Sequence, residues 1–274
     1  MLNMEALQFL AAPFVMCLVL AGIHCYLGLH VIARGVIFVD LSLAQVAAFG
    51  ATVAILLGFD HHSTQTYFIS LAATFIASAV FAIARKYEKV FSQEAVIGII
   101  YALASASVVL VVDRMAHGSE HIKDILIGHV LWVSWSDVIK TSLIYALVGF
   151  IHFAFRKQLI KASFGERAKS GWDFLFYSLF GVVITSSVSV AGVLQVFTYL
   201  IVPALISSLF YQTLTKRLLF GWGLGFVLSL LGLLAAHIWD LPAGAVIVVA
   251  FALLPVLALI GMWLKAFIVK QMKA

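Results

Sequence analysis

Charge is what this chain has least of. Asp, Glu, Lys and Arg make up 11% of its 274 residues, where soluble domains carry about 25%. So few charges cannot coat a water-facing globule, and they also exclude disordered and nucleic-acid-binding chains. Cysteine is nearly absent: Cys17 and Cys25 stand alone, with neither a disulfide framework nor metal-site spacing. Proline occurs four times, so long helices can run unbroken. Catalytic signatures are missing as well. There is no H-E-x-x-H, no G-x-S-x-G and no S-x-x-K. The stretch Gly165-Glu166-Arg167-Ala168-Lys169-Ser170 lacks the second glycine that would let a backbone wrap a triphosphate. The chain is not expected to hydrolyse ATP by itself.

What is present is apolar length. Hydrophobic residues account for 64% of the chain, and mean hydropathy is +1.13. A bilayer-crossing helix needs about 20 apolar residues, so the expectation is an all-α, polytopic transmembrane bundle in a single domain, 1–274. No positive n-region precedes the first apolar run, which carries Glu5 instead. That run is expected to stay as the first span. Nine spans are predicted near 7–29, 36–58, 66–84, 92–112, 135–155, 173–192, 193–211, 218–238 and 243–268. Two of them abut at Gly192 almost without a loop, and a single bent element there would make the count eight.

The basic residues set an orientation. Of 17 Lys and Arg, only Arg114, Lys123 and Lys140 fall on one side of this layout. The bias predicts an outside N-terminus and a cytoplasmic C-terminus in a bacterial cytoplasmic membrane. The outer loops carry acidic and histidine clusters, Asp60-His61-His62 and 113–124. His117 and His121 are four apart, so a helix would place them on one face; they are weak candidates for a cation-attracting surface.

Ionisable groups inside spans carry more information, because each is costly in hydrocarbon unless paired or hydrated. Asp40 lies about 9 Å along a helix from Arg34, and Gln45 sits further toward mid-bilayer. Asp40 has two readings of similar weight: with Gln45, a candidate metal-ligand set on the translocation path, or a partner for Arg34. His24 and His237, toward span ends, read as satisfied interfacial residues, and Glu94 as a charge at a helix start. Pro203 breaks the helix ladder within a span. Gly221-x-Gly223-x-Gly225 offers a close-packing face, and 239–244 a tight turn.

Six stretches, taken together, carry a family resemblance. Tyr26-Leu27-Gly28-Leu29-His30-Val31-Ile32-Ala33-Arg34, followed by Phe38-Val39-Asp40-Leu41-Ser42-Leu43-Ala44-Gln45, resembles the metal-type ABC permeases. Glu94-Ala95-Val96-Ile97-Gly98-Ile99, the run from Asp124 through Gly128-His129 to Asp137, Leu200-Ile201-Val202-Pro203-Ala204 and Trp239-Asp240-Leu241-Pro242-Ala243-Gly244 agree in order and spacing. The resemblance implies a type II importer-like fold and divalent metal (manganese, iron or zinc) as substrate, with no bound cofactor. It also implies a homodimer of permeases, cytoplasmic ATPase subunits and an extracytoplasmic solute-binding protein. Departures accompany it. Leu41 stands where the family keeps an aspartate, Gln45 where it keeps a histidine, and His129 replaces another aspartate. The segment holding Phe164, Gly165, Glu166, Arg167 and Ala168 occupies the family's ATPase-contacting place, shortened. A secondary cation or small organic ion carrier using Asp40 is the competing expectation, and an intramembrane enzyme the weakest.

Overall fold

The computed structural model describes residues 4–60, 63–115, 125–165 and 170–272. Nine helices account for most of them: α1 (Met4–Arg34), α2 (Val39–Leu56), α3 (Thr64–Lys86), α4 (Gln93–Val112), α5 (Trp135–Ala154), α6 (Arg156–Phe164), α7 (Ser170–Phe210), α8 (Leu214–Trp239) and α9 (Ala243–Met272). No strand occurs among the described residues. Eight of these helices are long and apolar enough to cross a membrane, all except α6. In hydrocarbon every backbone polar group must find a partner inside the chain, which the helix alone supplies locally.

The eight-or-nine question resolves at Gly192. Its φ of 74° and ψ of 163° interrupt α7, a backbone region that side chains other than glycine's hardly enter. Before it, the helix runs antiparallel to α1, since Asp173 meets Arg34 and Ser187 meets His24. Beyond it, the direction is reversed. Gln195 reaches Cys17, and the Leu200 carbonyl lies against Gly28. Eight apolar helices thus make nine passes, α7 supplying two legs of 170–191 and 193–210. The first described helix starts, and the last ends, at opposite ends of the bundle. Phe9 stacks on Trp132 at the Gly192 end, and α9 runs away from that end after Gly244 meets Ile127.

Glycine makes the reversal possible twice over. A Cβ on Gly192 would collide with the backbone of 126–128, and one on Gly128, at φ 67°, would collide with Ala191 and Gly192. The His129 N–H donates to the Val190 carbonyl at 3.0 Å, satisfying an acceptor that the break releases. The segment before α5 is therefore seated on the turn of α7.

Helices α1, α2 and α7 form the centre. α7 touches α1, α2, α3, α8 and α9, and α1 touches α5, α6, α7 and α8. The outer helices turn large apolar side chains outward, among them Ile99, Leu103 and Leu110 of α4 and Leu253, Leu257 and Leu259 of α9. Lipid tails complete their packing. Both cysteines are buried and free. Gly221 and Gly225 press α8 onto Cys25 and Ala21, whereas Gly223 faces open space. Of the expected glycine face, two positions make the contact. The segment 156–164, read from sequence as part of a cytoplasmic loop, is helix α6, with buried Leu159 and Ala162 on one side.

Gly192→Ala should lower the midpoint of thermal unfolding in detergent, because the new Cβ meets both left-handed strain of about 1–3 kcal/mol and the 126–128 backbone. Gly98→Ala, which meets nothing within 4 Å, should leave the midpoint unchanged. Equal midpoints for both variants would show that the reversal tolerates a side chain.

Candidate functional site

A cavity of about 280 Å³ lies between α2, α3, α5 and the first leg of α7, toward the Gly192 end. Its existence follows from composition. On α2 the wall is Ala47, Ala48 and Ala51, too small to fill the space, while the facing helices present Thr66, Ser70, Thr141, Thr185, Ser186 and Ser189. Most of these hydroxyls spend their proton on their own backbone. Thr66 donates to the Asp60 carbonyl at 2.8 Å, Ser70 to Thr66 at 2.9 Å, Ser186 to Val183 at 2.9 Å and Ser189 to Ser186 at 3.0 Å. A hydroxyl so engaged offers only lone pairs to the cavity. These four present oxygen acceptors to the cavity, as a hydrated cation requires, beside the Tyr67 and Thr141 hydroxyls. His129, Asp137 and Lys140 stand at its rim. There Asp137 accepts from the Ser134 hydroxyl at 2.6 Å and caps α5.

Asp40 continues the same stripe. Residues 40, 44, 47 and 51 recur at helical spacing, so Asp40 lies on the cavity-facing side of α2, about 10 Å below Ala47 along the axis. It is 1% exposed, and its carboxylate accepts from the Leu41 N–H at 2.7 Å. Gln45, also buried, is turned about 140° around the helix from Asp40. The two do not share a face. His117 and His121 lie outside the described residues.

The expected alternative partner of Asp40 is corrected by the structure, because Arg34 is engaged elsewhere. Its guanidinium, with no exposed side-chain surface, donates to Asp173 of α7 at 2.7 Å and through Nε to Ser163 of α6 at 2.9 Å. It also lies 3.9 Å above the Phe176 ring. Arg85 of α3 joins the cluster, 3.4 Å from Asp173 and donating to the Ala162 carbonyl at 2.8 Å. Four helices meet there, and α6 is held by both arginines at the point where the 165–169 segment begins. Phe164 ends α6 half-exposed, its ring 5.3 Å from His30. The Gly165 N–H closes the last turn on Lys161. Glu166, Arg167 and Ala168 lie outside the described residues.

Other polar groups are buried too: His24, read from sequence as satisfied but interfacial, and His30 and His152, which the sequence reading missed. His24 is satisfied at both nitrogens, by the Leu20 carbonyl at 2.7 Å and Ser187 at 3.1 Å, and Ser187 also meets the Tyr145 hydroxyl. His30 and His152 come together from α1 and α5, with ring centroids 6.1 Å apart. The available signal was the pair His30 and Arg34, one helical turn apart on a single face. Among the described residues no group of three or more His, Cys, Asp or Glu is placed to hold a metal.

A multi-pass helical bundle with an acceptor-lined cavity, and without an assembled nucleophile or metal triad among its described residues, has the build of a membrane permease. The chain belongs to the ABC 3 transport family, whose sequence profile matches residues 6–262. It is thus a transport component rather than an enzyme, and the secondary-carrier reading falls. It is similar to the manganese transport system membrane protein MntC of Listeria innocua, 26% identical over 90% of each chain. It also resembles a probable metal transport system membrane protein of Thermotoga maritima, 27% identical over 88% of this chain and 86% of that one. Its fold matches a solved structure of PsaBC from Streptococcus pneumoniae in complex with Fab, with a TM-score of 0.75 at 22% identity, covering 90% and 91% of the two chains.

Asp173→Ala should strip Arg34 of its carboxylate and destabilise the protein by about 3–5 kcal/mol, the usual cost of orphaning a buried charge. Arg85→Ala, at the longer and more exposed contact, should cost far less. Thermal unfolding of the purified variants orders them, and a harmless Asp173→Ala would mean that Arg34 is neutralised by another group.

Proposed function

We propose that the chain is the membrane-spanning permease subunit of an ATP-driven importer of divalent metal cations. One observation carries this reading: a cavity walled largely by serine and threonine hydroxyls stands above a buried acid, Asp40, on a single stripe of α2. A cation leaving water must replace hydration oxygens, and serine, threonine and backbone oxygens followed by a carboxylate offer a graded replacement. Manganese(II) and iron(II), harder than zinc, suit an all-oxygen route, in keeping with relatives whose names specify manganese. No resident cofactor is required.

The remaining parts follow the family. Two copies pack around the path, two ATPase subunits dock beneath, and an extracytoplasmic binding protein delivers the cation to the Gly192 end. The Arg34 end is cytoplasmic, in line with the clustering there of Arg34, Arg85, Arg156, Lys157 and Lys216. Phe164, Gly165, Glu166, Arg167 and Ala168 form the ATPase contact, which α6 presents from its anchorage on Arg34 and Arg85. ATP binding closes the ATPase pair, α6 moves with its attached helices, and the path changes the side to which it opens.

Uptake of radioactive manganese by cells carrying the complete transport system tests this. Asp40→Asn and the cavity-filling Ala51→Phe should each abolish uptake while the complex still assembles, and Gln45→Ala, off the stripe, should have the smaller effect. Undiminished uptake in both Asp40→Asn and Ala51→Phe sinks the proposed route.

Orientation is checked separately with single cysteines at Ser136 and Lys157, both exposed. An impermeant maleimide should label the first in intact cells and the second only after permeabilisation. The opposite pattern would invert the protein.

A further inference from the structure

Besides the charged cluster, the Arg34 end of the bundle holds two histidines that the packing leaves half-used. His30 is fully buried and His152 is 2% exposed. Each uses one nitrogen. His30 Nδ1 lies 2.8 Å from the Ser163 hydroxyl, and His152 Nδ1 lies 3.3 Å from the Tyr26 hydroxyl. The other nitrogen of each, Nε2, is buried without a hydrogen-bond partner among the described residues. A single such atom is uncommon in a native interior. Here two occur on neighbouring rings, set 6.1 Å apart and nearly perpendicular at 79°.

We infer that His30 and His152 form a two-nitrogen station for a borderline divalent cation, zinc(II) before manganese(II), on the cytoplasmic half of the permease. With Nδ1–H donating to Ser163 and to Tyr26, each Nε2 keeps its lone pair for a ligand, the arrangement by which a hydrogen bond at one ring nitrogen orients metal binding at the other. Ser163 Oγ also accepts from Arg34 Nε, so His30 turns its Nδ1 side, and not Nε2, toward the guanidinium. Tyr26 stacks on both rings, at 4.8 and 5.4 Å. His152 and Tyr26 also line a groove between α1, α5 and α8, so the station lies beside it. Two imidazoles are fewer than the three or four protein ligands of a permanent zinc site. The station holds an ion briefly and lets it go. Imidazole prefers zinc to manganese, so this second stop selects differently from the oxygen-lined route above it. The station also places metal beside α6, since Ser163 and Phe164 both touch His30.

The inference rests on the transport reading for its purpose but is tested by binding alone. The purified full-length chain, freed of any histidine tag, is titrated with Zn²⁺ and with Mn²⁺ against a fluorescent chelator. One Zn²⁺ per chain should bind at least about tenfold tighter than Mn²⁺, as nitrogen ligands dictate. His30→Asn and His152→Asn keep an amide near Nδ1 and delete Nε2, and each should weaken Zn²⁺ binding by about tenfold or more. Tyr26→Phe, which retains the packing, should weaken it less, and Gly98→Ala, whose new Cβ meets nothing within 4 Å, should leave it unchanged. Monodisperse chromatography and an unaltered unfolding midpoint separate lost ligands from lost structure. Zn²⁺ binding unaffected by both Asn variants overturns the station. Binding that depends on the histidines, in a system that takes up no metal, leaves the station standing and removes the transport reading instead.

Discussion

A guanidinium with no exposed surface has to be surrounded by acceptors, and the end of this bundle is organised around that need. Arg34 sits at the last turn of α1, where its charge also suits the negative end of the helix. Burial removes it from water, and the loss is offset only if carboxylate, hydroxyl and ring are all in place. Asp173, Ser163 and Phe176 supply them from two other helices. Arg85 adds a second cation to the same carboxylate and a bond to the α6 backbone. The short helix α6 contributes little apolar surface of its own. Its position relative to α1, α3 and α7 is set by these polar contacts, which hold its end at Phe164 in a fixed place.

The opposite end obeys a different constraint. A chain that reverses inside a low-dielectric layer releases backbone donors and acceptors with no water to take them. At Gly192 the break is compact because the neighbouring segment also carries glycine, and two backbones approach where side chains would forbid it. The bond from the His129 N–H to Val190 repays part of the lost helix ladder. Gly244 brings α9 against Ile127 in the same way. Seating 126–129 on this turn places His129 at the rim of the cavity.

Between the two ends, α2 does what its composition requires. Alanines on one stripe cannot fill the space against α3, α5 and α7, and a cavity results where larger residues would have closed the core. The helices facing it are rich in serine and threonine, whose hydroxyl protons go to backbone carbonyls one turn away. Small residues create the space and back-bonded hydroxyls set its polarity. Asp40, lower on the stripe, adds a buried carboxyl group.

Much of this could be read from the order of residues. Length and hydropathy determined a helical bundle of eight or nine passes, because the cost of exposing a polar backbone to lipid is paid residue by residue along the chain. Gly192 was visible as the joint of two spans, and the motifs around Arg34, Pro203 and Trp239 marked the family. Asp40 and the alanine stripe were fixed by helical period alone. Partner choice was not. Arg34 lies six residues from Asp40 yet pairs with Asp173, 139 residues away, since the turn at 35–38 puts the two on separate helices while packing brings α7 directly against α1. Helix α6 was hidden because its charges mask a short buried face that exists only beside α1 and α7. The cavity and the His30–His152 pair were illegible for the same reason. Periodicity and transfer energy act within a helix, but which faces meet is decided by the packing of the whole bundle.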